Sequence, residues 1–362
     1  MERKYLITTI IFSILIIVVV ILIVLNLSTK NLSPAELEQC NQLTNNPNAI
    51  DIVFFSTKQQ AKEYSTYLIN SEPYKNYKDS FNFYFIDSYQ PECELYKGVA
   101  ILCYSKELIK KSASCPNDFI VVIQDKPSNI RSTAYMNVVS LNSKHNKNVF
   151  LHEFGHSFAN LADEYIPASI PKKSKNCVDN CDNFQNLGEC KEGCSDSTHY
   201  RSINNGVMKT LNTNNYGEFN TELILQKIPT ATSRLTSFAI AEKLNCENSK
   251  YILITGNYNQ GEITIKEKTI ETGCLGTNGI GDFEYNLILQ DDSNLQEEFN
   301  PQFIFTDIQE ETDLSGGAVE QQGDFYLKIS KIENSKTLEI SKEGQLITQT
   351  DLEKIGAIPC EI

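Results

Sequence analysis

The sequence has little positive charge, since 32 lysines and arginines stand against 46 aspartates and glutamates and give a formal net charge of −14. This balance argues against a nucleic acid as partner, because the phosphates would be repelled. The acidic excess is most simply explained by solubility. The sequence also lacks a convincing internal repeat and any long low-complexity tract, so we expect ordinary folded units rather than a repeat array.

Histidine and methionine are scarce, with four and three residues in a chain of 362. Two of the four histidines lie together in residues 150–167, FLHEFGHSFANLADEYIP. Buried core histidines would say little about function. Metal-ligating histidines would say a great deal.

The N-terminus contains an apolar stretch without charge, Leu6–Leu25, which is long enough to cross a bilayer as a helix. A cleavable signal peptide would have a shorter apolar region and a small-x-small cleavage site, whereas NLSTK follows here. We therefore predict a cytoplasmic stub and membrane anchor at residues 1–26. Arg3 and Lys4 favour a cytoplasmic N-terminus, which places the rest of this single-pass protein outside the cytoplasm.

All eleven cysteines follow the apolar stretch, and in an exported chain this favours disulfides, with one cysteine left over. The roughly 335 residues beyond the stretch exceed what one hydrophobic core usually organises. We predict a linker at residues 27–48, a catalytic domain at 49–247 and a C-terminal β domain at 248–362.

The predicted catalytic domain alternates short apolar runs with helical patterns. The runs AIDIVFFST, FNFYFIDS and DFIVVIQD have the length and composition of buried strands. Thr57–Leu68 and Ser105–Ala113 have helical spacing, and STAYMNVVSLNS is expected to form one more strand before the histidines. This alternation is typical of an α/β or α+β unit.

From residue 250 the pattern changes to alternating apolar residues separated by Gly, Asn or Asp turns, as in KYILITG and FEYNLILQD. This predicts a small all-β, sandwich-like domain, preceded by a helix around Ser233–Leu244. The predicted fold class is thus an α/β domain with a mixed sheet, followed by a separate β domain, behind an N-terminal transmembrane helix.

His152 and His156 are spaced so that on an α-helix their directions differ by only about 40°, and both imidazoles can reach one ion. Glu153 lies about 100° from His152, close enough to act on a water at that ion without ligating it. This is the HExxH arrangement of one catalytic Zn²⁺ with a carboxylate base. The alternative is a pair of buried histidines bonded to backbone groups. The apolar frame around Phe150 and Phe154 favours the metal site.

A catalytic zinc usually has three protein ligands, so a third must be found. In the pattern HExxHxxGxxH a glycine turns the chain and a third histidine closes the site. Here Ala159 and Ala162 occupy those two places. Asn160 tolerates a left-handed turn, so Asp163 is the predicted third ligand through a turn shifted by one residue. Glu164 and His199 are the alternatives, and Glu164 can instead orient a ligand from behind.

The stretch HEFGHSFANLADEY resembles the zinc motif of the IgA-peptidase family, a metzincin-like group of metallopeptidases. The resemblance implies a zinc endopeptidase with a five-stranded mixed sheet, an active-site helix beneath it and a methionine turn under the metal. It does not imply immunoglobulin as the substrate.

The candidate methionine turn is NNGVMKT, in which Met208 follows Asn-Gly, a strong turn signal. Met208 would form an apolar floor below the imidazoles, although a core methionine is the simpler explanation. His199 and Tyr200 are candidates to line the cleft. Tyr200 or Tyr216 is predicted to donate a hydrogen bond to the oxyanion, as a phenol does in some metzincins.

A cysteine-rich insertion at residues 177–194 contains two Cx3C pairs, Cys177, Cys181, Cys190 and Cys194. A second, structural zinc is possible, but such sites generally use Cx2C spacing and the compartment is oxidising. We predict disulfides Cys177–Cys194 and Cys181–Cys190 that join two short antiparallel helices into a flap beside the cleft.

The sequence therefore predicts a membrane-anchored, extracytoplasmic zinc endopeptidase that acts on proteins or peptides. An edge strand near Ala134–Leu141 would pair with an extended substrate and give broad specificity. The alternatives are a surface binding or adhesion protein with a vestigial zinc site, and a zinc hydrolase of a non-peptide amide.

Overall fold

The computed structural model describes residues 37–233, 246–306, 316–331, 335–352 and 355. The predicted membrane span Leu6–Leu25 lies outside these residues, as does nearly all of the helix predicted around Ser233–Leu244. Within the described ranges, no helix has both the length and the apolar character needed to cross a membrane. Leu37–Ile362 is one compact unit.

The helices and strands of the first part of this unit are as follows. The α-helices are α1 (Lys58–Asn70), α2 (Lys106–Ser112), α3 (Asn148–Ala159) and α4 (Glu218–Ser233), and two 3-10 helices span Tyr74–Ser80 and Cys181–Phe184. The strands up to the cysteine-rich insertion are β1 (Asn41–Gln42), β2 (Ile50–Phe55), β3 (Phe81–Ile86), β4 (Glu94–Tyr96), β5 (Ala100–Leu102), β6 (Phe119–Gln124), β7 (Thr133–Tyr135), β8 (Val138–Asn142), β9 (Lys191–Cys194) and β10 (Asp196–Arg201).

The C-terminal part is built from strands. They are β11 (Lys250–Asn259), β12 (Glu262–Thr272), β13 (Phe283–Leu289), β14 (Asn294–Phe299), β15 (Phe303–Thr306), β16 (Ala318–Val319), β17 (Gln322–Ser330), β18 (Ser335–Lys342) and β19 (Gln345–Asp351). A three-stranded sheet of order β12-β11-β17 and a four-stranded sheet of order β14-β13-β18-β19 share one hydrophobic cluster.

The predicted fold class is wrong, because the described residues are mostly β and their strands are distributed over several sheets. The largest sheet has eight strands in the order β1-β3-β2-β6-β8-β7-β15-β16, whereas the resemblance implied five. Two of its strands, β15 and β16, come from the segment that was expected to form a separate sandwich. The apolar pattern of a strand does not identify the strand with which it pairs. The addition of β15 and β16 to the large sheet could therefore not be predicted. The residue boundaries of the predicted domains stay a prediction.

The local elements before the histidines follow the predictions closely. The three apolar runs form β2, β3 and β6, which lie parallel to one another, as does β8 beside β6. The two predicted helices form α1 and α2. Thr57 caps the N-terminus of α1 in a capping box. Its side chain accepts a hydrogen bond from the backbone N–H of Gln60, and the side chain of Gln60 accepts one from the backbone N–H of Thr57.

The stretch predicted as one strand before the histidines forms two. Met136 adopts a left-handed conformation (φ 55°) and separates β7 from β8, which pair antiparallel. The predicted edge at Ala134–Leu141 is therefore wrong as well, because β7 also pairs with β15 on its other side.

Helix α3 is held against the main sheet by phenylalanines at helical spacing. Phe150 packs at 6.1 Å from Phe54, and Phe154 and Phe158 pack at 5.4 and 5.6 Å from Phe119, measured between ring centroids. Each buried phenylalanine contributes about 1.5–3 kcal/mol through removal of apolar surface from water. The face of α3 that bears the histidines is thereby turned away from these rings.

Candidate metal centre

Helix α3 brings the two histidines of the motif together. The Nε2 atoms of His152 and His156 lie 3.1 Å apart, and both side chains are buried. The helical spacing predicted from the sequence is confirmed by α3.

Both imidazoles are oriented by backbone carbonyl groups. His152 Nδ1 lies 2.9 Å from Val207 O, and His156 Nδ1 lies 2.5 Å from Leu161 O. A carbonyl oxygen only accepts, so each Nδ1 carries the proton and donates it. In the neutral ring each Nε2 then has a free lone pair, which is the form that binds a metal ion.

The third member of the group is Asp163, which follows a left-handed turn. Asn160 ends α3 with φ 52° and ψ 37°, so the turn predicted at this residue is confirmed. Beyond it, Asp163 Oδ1 lies 3.0 Å from His152 Nε2 and 3.2 Å from His156 Nε2. This oxygen is buried and has no hydrogen-bond donor. The other carboxylate oxygen, Oδ2, accepts a 2.8 Å hydrogen bond from Gly317 N.

Burial and the neighbouring side chains of opposite charge act in opposite directions on the pKa of each of the three residues. Burial lowers the pKa of His152, but the adjacent Asp163 carboxylate outweighs it and raises that pKa to about 9, so metal binding at Nε2 would release a proton. Burial dominates at His156 and lowers its pKa. Although burial alone would raise the pKa of Asp163, the two imidazoles hold it well below its ordinary range. Asp163 is therefore ionised, as a metal ligand must be.

These observations fit a bound cation. The described residues contain one group of three His, Cys, Asp or Glu side chains that can hold a metal ion, namely His152, His156 and Asp163, whose ligand atoms all lie within 4.8 Å of one another. Two nitrogen lone pairs and a buried carboxylate oxygen without a hydrogen-bond donor meet at one point. A bound cation would provide the partner that these three atoms lack.

Glu153 lies in the helix between the two histidines and is fully buried. Its negative charge is among the contributions that raise the pKa of His152, after burial and the effect of Asp163. Glu153 therefore lies within electrostatic reach of the metal group, and its role as a base stays a prediction.

Met208 lies against the middle of α3. A Cβ atom added to Gly155 would meet Met208 Sδ and Tyr216 Cε1, both at 3.0 Å. Met208 O accepts a 2.8 Å hydrogen bond from Glu164 N, and its neighbour Val207 bonds His152. The predicted methionine turn therefore supports both the helix and the chain that follows it.

Glu164 is buried behind Asp163 and lies outside the group of three. Its Oε1 accepts hydrogen bonds from Asn220 at 2.7 Å and Asn176 at 3.3 Å. Burial raises the pKa of Glu164 to about 7, although both amides oppose this shift. Glu164 thus connects the Asp163 segment with α4 and with Asn176, which immediately precedes the cysteine-rich insertion.

Three other predicted residues do not belong to the metal group. His199 pairs with Asp196 at 2.8 Å. Tyr200 lies in β10, where its backbone bonds Val178. The Tyr216 hydroxyl is buried and donates to Leu151 O, so it holds the helix backbone.

The cysteine-rich insertion contains the two predicted disulfides, Cys177–Cys194 and Cys181–Cys190. The predicted pair of helices is wrong, because the insertion forms a 3-10 turn and the β9–β10 hairpin. Its proximity to the metal group is direct, since Ser195 Oγ donates a 2.6 Å hydrogen bond to Asp163 O. The other disulfides are Cys40–Cys115, Cys93–Cys103 and Cys246–Cys274, and the eleventh cysteine, Cys360, lies outside the described residues.

Sequence reasoning did not identify three residues that contact the group. The Tyr165 ring stacks on His152 with centroids 6.3 Å apart, and the Phe305 ring lies parallel to His156 at 3.9 Å. Gly317 supplies the hydrogen bond to Asp163. Tyr165 was within reach of prediction because it ends the LADEY stretch, whereas Phe305 and Gly317 had no local signal.

No protein-family model matches this chain, and no curated protein matches it. The resemblance to the IgA-peptidase family therefore stays a prediction.

Proposed function

We propose that this protein is a zinc-dependent endopeptidase. The observation that carries the proposal is the convergence of His152 Nε2, His156 Nε2 and Asp163 Oδ1, with Glu153 on the same helix between the two histidines. Two imidazoles and one carboxylate form a ligand set typical of a catalytic zinc with an open coordination position. A purely structural zinc generally has four protein ligands, often cysteines.

The proposed roles follow from chemistry and position. His152, His156 and Asp163 hold the ion. When bound, zinc polarises a carbonyl group and makes water more acidic. The Glu153 carboxylate takes the proton from the attacking water and passes it to the leaving amine.

The five disulfides support a location outside the cytoplasm, because disulfides persist in oxidising compartments. We propose proteins or peptides as substrates, since two imidazoles, one carboxylate and a glutamate between the histidines are the groups with which zinc peptidases activate water for amide hydrolysis.

A second function is favoured by the burial of the group, because His152, Glu153 and Asp163 are each 0 % exposed. A surface binding protein whose metal only stabilises the fold would need no access to these residues. The two candidates differ in whether Glu153 is needed for hydrolysis.

The deciding experiment measures zinc content and cleavage of an unstructured protein such as casein for the full-length chain. Glu153→Gln keeps the size of the side chain and leaves the three ligands in place. The proposal predicts one zinc per chain in both proteins and cleavage by the parent alone. Equal cleavage by Glu153→Gln would overturn the mechanism, and one bound zinc without cleavage by either would favour the binding protein.

A further inference from the structure

One strand from the C-terminal part lies where a substrate chain would be expected. β15 pairs antiparallel with β7 in the register Ile304 with Tyr135, Phe305 with Ala134 and Thr306 with Thr133. On its other side β7 pairs with β8, and both belong to the sheet that supports α3, the helix that bears the two histidines. β15 therefore covers the strand edge next to the metal group.

The side chains of β15 reach the metal ligands themselves. The Phe305 ring lies on His156 with an interplanar angle of 14° and a centroid distance of 3.9 Å. Phe303 packs at 4.6 Å against Phe305. Alternate residues of a strand face the same side, so these two rings form the face of β15 that is turned towards the metal group.

Backbone groups next to β15 add further contacts. The Tyr165 hydroxyl, beside His152, donates a 2.7 Å hydrogen bond to Thr306 O. Gly317 N donates to Asp163 Oδ2. A Cβ atom at Gly317 would lie 2.5 Å from Phe303 and 3.3 Å from Asp163 Oδ2, so only glycine allows this close approach.

These contacts contribute to the burial of the site. His152, Glu153 and Asp163 are fully buried, and His156 is 2 % exposed. A peptide bond cannot approach the ligands while Phe305 lies on His156. Hydrolysis therefore requires that β15 leave its place.

We propose that β15 occupies the substrate position and keeps the enzyme latent, and that substrates are extended segments with an aromatic or other large apolar side chain where Phe305 lies. The proposal rests on the proposed function, since it assigns that same site a substrate class and a regulatory strand. A substrate chain replaces β15 on β7, antiparallel to it, and presents its backbone to the metal group.

The short length of β15 suits this exchange. Three residue pairs join it to β7 and two pairs join it to β16, whereas the neighbouring parallel pair of β6 and β8 has five. Fewer backbone hydrogen bonds must break for β15 to open than for a longer strand, and the buried side chains of Phe303, Ile304 and Phe305 oppose this opening and keep the covered state dominant.

The test uses the full-length, zinc-loaded chain and two independent measurements. The first is the rate at which a chelator removes zinc, which reports access to the site whether or not the protein is a peptidase. The second is hydrolysis of casein. Phe305→Ala removes the ring from His156, and Tyr165→Phe removes only the hydroxyl that bonds Thr306. Phe299→Ala is the matched control, because it deletes a buried ring of the C-terminal cluster that packs against Phe283 and Phe325 and not against His156.

We expect Phe305→Ala to accelerate both zinc removal and hydrolysis about tenfold, with a smaller rise in Tyr165→Phe and none in Phe299→Ala. If Phe305→Ala loses zinc faster but neither it nor any other variant hydrolyses casein, β15 covers the metal group as proposed. The proposed function, a peptidase, would then be overturned. Hydrolysis by the parent at the rate of Phe305→Ala would overturn latency. The proposal that β15 keeps the enzyme latent would also be overturned if zinc removal were unchanged in both Phe305→Ala and Tyr165→Phe. The same holds if Phe299→Ala accelerated zinc removal as much as Phe305→Ala.

A synthetic peptide tests the substrate class. The peptide of residues 301–306, PQFIFT, should inhibit hydrolysis by Phe305→Ala, because it competes with the weakened β15 for β7 and returns a phenyl ring to His156. The same peptide with Phe305→Ala should inhibit at least about tenfold more weakly, since it lacks the side chain that lies on His156. Equal inhibition by the two peptides would overturn the proposed preference for a large apolar residue.

Discussion

Asp163 Oδ1 lies 3.0 Å from His152 Nε2, although a left-handed turn at Asn160 separates the two residues in the chain. The turn reverses the chain after α3 and returns a carboxylate to the histidines of the helix. The same carboxylate is held on its other side by Gly317 N. Asp163 is thus the residue at which the helix, the turn and the C-terminal strands meet.

The identity of the third ligand leads to the first prediction. Asp163→Ala should weaken zinc binding at least about 100-fold, because two imidazoles alone do not complete a three-ligand site. Glu164→Gln should retain most of the affinity, since Glu164 bonds Asn220 and Asn176 instead. The measurement is zinc retained during dialysis against a graded series of chelator concentrations.

His199→Ala is the control for this series, because His199 pairs with Asp196 outside the metal group. It should retain zinc like the parent. Retention by Asp163→Ala together with loss in His199→Ala would show that another segment closes the site.

The turn at Asn160 leads to a prediction on stability. Asn160→Val should lower the free energy of unfolding by about 1–2 kcal/mol, because a β-branched residue is strained at φ 52°. Asn160→Gly should keep the turn, since glycine adopts this conformation freely. Urea unfolding of the zinc-free proteins measures the difference. A smaller loss for Val than for Gly would contradict the role of the left-handed conformation.

The two disulfides of the insertion should differ in their effect on the metal group. Cys177 and Cys194 are buried, and Cys177 adjoins Ser195, whose hydroxyl bonds Asp163 O. Replacing Cys177 and Cys194 by serine should lower the free energy of unfolding by about 3 kcal/mol. The same replacement should also lower the affinity for zinc. Replacing Cys181 and Cys190 by serine should lower stability alone.

Chelator titration and thermal unfolding of the two double variants decide this prediction. Equal zinc affinity in both would show that the insertion does not position Asp163. Mass mapping without reduction should also recover the pairs Cys177–Cys194 and Cys181–Cys190, and free thiols at these positions would contradict the structure.

Removal of the metal should lower stability without abolishing the fold, because α3 is also held by the phenylalanines that pack against the sheet. A free zinc concentration about a thousand times its dissociation constant should stabilise the native state by about 4 kcal/mol. Thermal unfolding with and without chelator measures the effect. Asp163→Ala should show a much smaller shift on addition of zinc, and a shift equal to that of the parent would argue that zinc binds elsewhere.

Much of the metal group was predictable because its determinants are local. Two histidines separated by one helical turn must share a face of any α-helix, and the phenylalanines at the same spacing require that helix to be buried on its other side. Asn160 was identifiable as a left-handed residue from its side chain alone. The spacing of Cys177, Cys181, Cys190 and Cys194 was compatible with the observed pairing, although not with the helices expected around it.

The short strands of the first part were equally predictable, since runs such as β2, β3 and β6 are mostly apolar and are bounded by polar residues. The turn at Met136 was missed because methionine has no preference for a left-handed conformation. It divides one expected strand into β7 and β8 and so changes which strand lies next to the metal group.

The sequence by itself thus determined the helix, its two histidines, the glutamate between them and the turn that leads to Asp163, because each depends on residues only a few positions apart. Only the tertiary structure decided that β15 pairs with β7, that Phe305 covers His156 and that Gly317 bonds Asp163. The apolar run of Phe303, Ile304 and Phe305 is compatible with a strand, but strand pairing is a contact between distant segments and leaves no periodic signal in either one. Whether the metal group is open or covered depends on that pairing.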